Sequence, residues 1–140
     1  MNVICASTSL SIARSAFQFI LHHALLWQSQ PHQCGLLGID VANNAVIQHS
    51  PLCSSAQKAE IIIQTWQDKG IVCVGLYYFS PEVDISHLLT VIPSTYIELF
   101  ACLDEKGRLD LFAKQRDVAS TQQQSITLTL TEDGQSATNV

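Results

Sequence analysis

The sequence predicts an α+β fold, a mixed β-sheet with helices packed against it, and three observations predict it. Two segments, Leu10–Trp27 and Ala59–Trp66, carry apolar residues at three- and four-residue steps, the spacing of amphipathic helices. The run Ile71–Tyr77 is almost continuously apolar between Gly70 and Ser80-Pro81, the pattern of a central strand buried on both faces. The order strand, helix, strand, strand, helix, strand, helix, strand, strand then alternates the two element types along the chain.

Taken in order, Val3–Ala6 reads as a short strand, and Ser7, Thr8 or Ser9 is placed to cap the helix that follows. In that helix Leu10, Ala13, Phe17, Ile20, Ala24 and Trp27 form an apolar stripe, widened by Ile12, Ala16 and Phe19, opposite Ser11, Arg14, Ser15, Gln18 and His22. Pro31 cannot continue it. Cys34–Val41 and Ala45–His49 read as antiparallel strands joined at Ala42-Asn43-Asn44, where asparagine tolerates positive φ. Ser54 or Ser55 caps a second helix that Lys69-Gly70 ends. Asp84–Ile92 reads as a short helix capped by Asp84 and stopped by Pro93, and Asp104-Glu105-Lys106-Gly107 as the turn between two closing strands.

Residues 114–124 are polar and aperiodic, a linker or long loop, and Ile126–Thr131 alternates apolar and β-branched polar residues like a strand. The sequence divides into a domain over 1–117 and a polar linker with a C-terminal strand and tail over 118–140. That strand either completes the same sheet or pairs with another protomer by β-augmentation.

With 140 residues, 47% hydrophobic and 14% charged, the chain has enough apolar material for one core and a sparse charged surface, which points to an interaction surface. The net charge of −5 and the lack of a Lys/Arg run argue against nucleic-acid binding. The stretch Phe19–Trp27 is too short to span a bilayer, and Met1–Cys5 lacks a basic signal-peptide start, so a cytoplasmic protein is expected. The five cysteines, an odd number without zinc-finger spacing, read as free buried thiols.

One segment carries a resemblance. Val74-Gly75-Leu76-Tyr77-Tyr78-Phe79-Ser80-Pro81 resembles the zinc-binding strand of the JAB/MPN (JAMM, Mov34/PAD-1-like) metallopeptidases, and His32-Gln33-Cys34-Gly35-Leu36-Leu37-Gly38 resembles the start of their glutamate-bearing strand. The resemblance implies an MPN/JAB-like, cytidine-deaminase-like mixed sheet over about residues 1–115. It implies equally that the site is degenerate. Tyr78 and Ser80 stand at the two zinc histidines, His32 at the proton-moving glutamate, and Ser86 and Leu89 at the serine and the aspartate ligand. A mechanism of that type needs zinc to bring the pKa of water to about 7 and a carboxylate to shuttle the proton. The expectation is therefore a non-catalytic interaction or scaffold module, a pseudoenzyme with no catalytic residue, metal or cofactor. The alternative is a zinc-dependent isopeptidase, amidase or other hydrolase with substituted ligands, which gains if Asp40, Glu82 or Asp84 converges with two histidines.

Each candidate also has an ordinary reading. His32 follows a proline in a turn, where histidines are commonly half-exposed loop residues. Tyr77 and Tyr78 suit the rim of a core. Ser80 lacks a nucleophile elbow, and adjacent His22 and His23 point about 100° apart on a helix. A zinc site from His32, Cys34 and a distant histidine has no spacing signature. As partners, a homodimer or another protein is expected, with a ubiquitin-like or sulfur-carrier protein implied by the resemblance alone. Phe19, Leu26, Trp27, Ile126, Leu128 and Leu130 are the candidate interface residues.

Overall fold

The fold is known from a computed structural model that describes residues 9–26, 34–43, 46–53, 55–80, 83–118 and 123–131. Its elements are β1 (Ser9–Ala13), α1 (Arg14–Leu26), β2 (Cys34–Asp40), β3 (Val46–His49), α2 (Ala56–Asp68), β4 (Ile71–Tyr78), α3 (Ser86–Leu89), β5 (Thr95–Leu103), β6 (Leu109–Asp117) and β7 (Gln123–Thr131). The strands run in the order β1-β3-β2-β4-β5-β6-β7 and close into a barrel through parallel pairing of β7 with β1. This corrects the expected α+β, MPN/JAB-like sheet with helices packed against it. The sheet has no pair of open ends, because Ser9–Ala13 takes a place between β3 and β7.

That place also corrects the first helix. Leu10 and Ala13 suit a helical stripe, but Ser9–Ala13 alternates polar and apolar residues as well, and pairing with two strands decides for the strand. Leu10 and Ile12 consequently point into the barrel, and the helix begins at Arg14. The proposed strand Val3–Ala6 and the caps at Ser7 and Thr8 lie outside the described residues.

The β2–β3 hairpin, α2, β4 and the β5–β6 hairpin fall where the sequence puts them. Ser55 caps α2 by accepting a hydrogen bond from the Lys58 N–H at 3.2 Å, and Gly70 takes φ 75° just beyond its end. In the β5–β6 turn the Asp104 carboxylate accepts bonds from the Lys106 and Arg108 N–H groups, and Gly107 adopts φ 79°. The helix expected over Asp84–Ile92 is a single turn, Ser86–Leu89. The polar stretch 114–124 is strand at both ends: β6 continues to Asp117 and β7 starts at Gln123.

Two apolar cores result. Inside the barrel, Ala16, Ile20 and Ala24 of α1 pack on Leu37, Tyr77 and Leu99. Outside, Ala59 and Trp66 of α2 and Leu88 of α3 cover Leu36, Leu76 and Tyr96. β4 lies between these two layers, which is why it reads as a nearly unbroken apolar run. β7 is held on both sides, by β6 along Gln123–Ile126 and by β1 along Thr127–Thr131. It is thus part of the barrel wall, and its pairing partners are within the same chain.

Candidate functional site

The end of β4 is where the sequence concentrates its candidates, and strand alternation sorts them onto two faces. Tyr77 opposes Gly35 of β2, is wholly buried inside the barrel, and donates its hydroxyl to the Ser50 carbonyl at 2.5 Å. Gly35 has to be glycine there, since a Cβ would run into the Tyr77 ring and the Pro51 carbonyl. Burial pushes the Tyr77 hydroxyl far above its usual pKa. Phe79 also points inward, its ring centroid 5.7 Å from that of Tyr77.

Tyr78 faces outward. Its hydroxyl donates to Oε2 of Glu98 at 3.0 Å, and Oε1 of Glu98 accepts from Nη1 of Arg116 at 2.9 Å. Parallel β4–β5 pairing brings Tyr78 beside Phe100, and antiparallel β5–β6 pairing brings Arg116 beside Tyr96, so one carboxylate between them reaches both groups. Burial, then the neighbouring Glu98 carboxylate, pushes the Tyr78 hydroxyl up to about 12. At neutral pH it is a fixed donor.

The other positions are dispersed. Ser80 follows the strand, and its carbonyl accepts from the Val83 N–H at 3.1 Å. Ser86 is exposed, its N–H bonded to the Asp84 carboxylate at 2.9 Å, and bonds from Ser86 hold the Asp84 carboxyl below its usual pKa. Leu89 is half-buried against the outer core. His32, Pro81 and Glu82 lie outside the described residues, as does Trp27.

No convergence of carboxylates and histidines appears among the described residues. Asp40 sits at the far end of β2, beside Ile71, whereas Cys34 at the near end lies beside Tyr78. Asp84 is close enough to help raise the Cys34 thiol, which burial mainly pushes up to about 11. His22 and His23 stay together on α1, and His49 packs on the Trp66 ring at 5.9 Å. Among the described residues no group of three or more His, Cys, Asp or Glu side chains is arranged to hold a metal. Cys34, Cys53, Cys73 and Cys102 are free thiols.

Of the interface candidates, Phe19 (40% exposed) and Leu26 (43%) lie on the uncovered side of α1. Ile126 is buried inside the barrel, Leu128 packs against the same core, and Leu130 is 40% exposed. Sequence reasoning missed Glu98 and Arg116. Glu98 was visible as the one charged residue in the apolar run Tyr96–Leu103, but Arg116 fell in a stretch read as linker.

The fold and this strand-end network define a seven-stranded mixed β-barrel with one helix in its interior face and two on its exterior. Two solved structures are similar to it across nearly their whole length. A protein from Desulfitobacterium hafniense, solved in solution, is 13% identical with a TM-score of 0.61, covering 89% of this chain and 94% of that one. A protein from Salinibacter ruber, strain DSM 13855, also solved in solution, is 12% identical with a TM-score of 0.59, covering 91% of this chain and 94% of that one. These likenesses concern the fold. No protein-family model and no curated protein matches the chain. No helix among the described residues is long and apolar enough to cross a membrane.

Proposed function

We propose that this chain is a non-catalytic protein-interaction module, a pseudoenzyme in the sense of its resemblance to the JAB/MPN metallopeptidases at the end of β4. The observation that carries the reading is the hydrogen-bonded set Tyr78–Glu98–Arg116. At a position where that resemblance expects an imidazole ligand, the side chain is a neutral phenol whose hydroxyl is committed to a carboxylate. The carboxylate in turn is neutralised by an arginine, so it offers neither a free base nor a metal ligand of full charge.

Phe19 and Leu26, both exposed on the uncovered side of α1, support binding of another protein. The buried free thiols accord with a reducing compartment, and the reading assigns the protein to the cytoplasm. Ubiquitin-like or sulfur-carrier proteins are the partners the resemblance suggests.

The test is metal content together with turnover. Purified protein is expected to carry well under one zinc per chain and to leave isopeptide- and amide-linked ubiquitin-like fusions uncleaved. Near-stoichiometric zinc with chelator-sensitive cleavage, lost in a His32→Ala variant, overturns the reading.

A further inference from the structure

On the outer face of β4, β5 and β6, three aromatic rings stand in a row across the strands. Tyr78 opposes Phe100 with ring centroids 5.4 Å apart, and Phe100 opposes Phe112 at 6.4 Å with the rings nearly parallel. Phe100 and Phe112 belong to neither core, and Phe112 is 53% exposed. Cross-strand packing holds these rings in place, so a partner meets a preformed surface.

The charges around the row have a pattern of their own. Alternation along β6 puts Asp110, Phe112 and Lys114 on the same outward face, all three exposed. Asp110 and Lys114 form no ion pair with any of the described residues. The sequence Asp-x-Phe-x-Lys is therefore antisymmetric in charge about its central ring.

We infer that this face binds a second copy of the chain, with a two-fold axis along the aromatic row. Such an axis reverses the direction of β6 in the partner. Phe112 then meets Phe112, and each Asp110 meets a Lys114, giving two ion pairs from one pattern, as an isologous contact requires. A foreign partner would need a complementary pattern of its own, whereas a second copy already has it. The next charges outward do not oppose the contact: Arg108 is paired with Asp104 at 2.8 Å and Arg116 with Glu98 at 2.9 Å. The inference names a partner for the module proposed above and rests on that reading only in taking the partner to be a protein.

The experiment is sedimentation equilibrium on the whole chain and on three variants, Phe112→Ser, Asp110→Lys and Lys114→Asp. All three positions are exposed, and an unchanged circular dichroism spectrum and melting transition confirm that each variant folds. The wild type is expected to dimerise at concentrations up to about 0.1 mM. Phe112→Ser should weaken the dimer about thirtyfold or more, as loss of a central aromatic does. Each charge reversal should weaken it about tenfold by setting like charges together. Mixing Asp110→Lys with Lys114→Asp should restore dimers, because the mixed contact pairs opposite charges at both places. A monomeric wild type overturns the inference, even where the protein proves free of zinc and hydrolase activity. So does a wild-type dimer that these substitutions leave unchanged, or a mixture that fails to recover.

Discussion

Tyr78 and Glu98 lie on neighbouring parallel strands, and the tyrosine hydroxyl reaches the carboxylate at 3.0 Å although the two residues are not register partners. Glu98 is only 8% exposed, and Tyr78 and Arg116 take one carboxylate oxygen each. A carboxylate so buried is tolerated because both its oxygens are bonded and its charge is matched.

The two bonds should therefore differ in what their removal costs. Tyr78→Phe deletes one donor and leaves the ion pair, for a loss of about 1 kcal/mol. Arg116→Ala strands a buried charge, and with the guanidinium side partly in solvent the loss should be about 1–3 kcal/mol. Denaturant unfolding of both variants checks the order. Equal losses, or a larger one for Tyr78→Phe, contradict the account.

Gly75 is a steric requirement of the β4–β5 pair. A Cβ at this position would collide with the backbone carbonyl of Ile97, which cannot swing aside as a side chain can. Gly75→Ala is expected to destabilise the fold by about 1–3 kcal/mol, toward the upper end, despite the better strand propensity of alanine. A thermal melt within a degree or so of wild type would show that the two strands separate at little cost.

Acid should weaken the fold through His23 and His49. Burial lowers the pKa of each below its ordinary 6.5, and for His49 the nearby Lys69 adds to the effect while Asp40 opposes it. Below that ordinary value the unfolded chain binds protons that the folded chain does not, so stability falls as pH drops from 6.5 toward the lower folded values. Urea midpoints should decline between about pH 7.5 and about pH 5.5. Replacing His49 with glutamine should flatten that decline. A steeper decline in the variant would point to other groups.

The individual elements were legible where sequence and tertiary context agree. Ser54 or Ser55 reads as a cap, Lys69-Gly70 as a stop and Ile71–Tyr77 as a central strand, because capping, positive φ and burial on two faces are local or compositional facts; the structure decides for Ser55. Barrel closure was not legible. Ser9–Ala13 satisfies both a helical and a strand pattern, and only its pairing with β3 and β7 decides between them. The same holds for Lys114–Asp117, polar residues in a strand whose partners on both sides lie elsewhere in the chain. At the site, Tyr78 could be singled out by position, but the Glu98 carboxylate it serves depends on β5 register, which a single sequence does not encode locally.

The pairing of β1 with β7 joins Ser9 to Thr127, more than a hundred residues apart. Closing so long a loop costs entropy before any contact is gained, and folding rates fall as the mean separation of contacting residues rises. Among the described residues, the other β1 partner, β3, meets it at Ser11 and Ile12. Until β7 is in place, then, Leu10 and Ile12 lack the strand that pairs along the whole of β1. Closure of the seam between β1 and β7 is therefore expected to come late in folding. Conditions that slow it would prolong a half-closed state whose apolar lining and unpaired strand edges favour association in the wrong register.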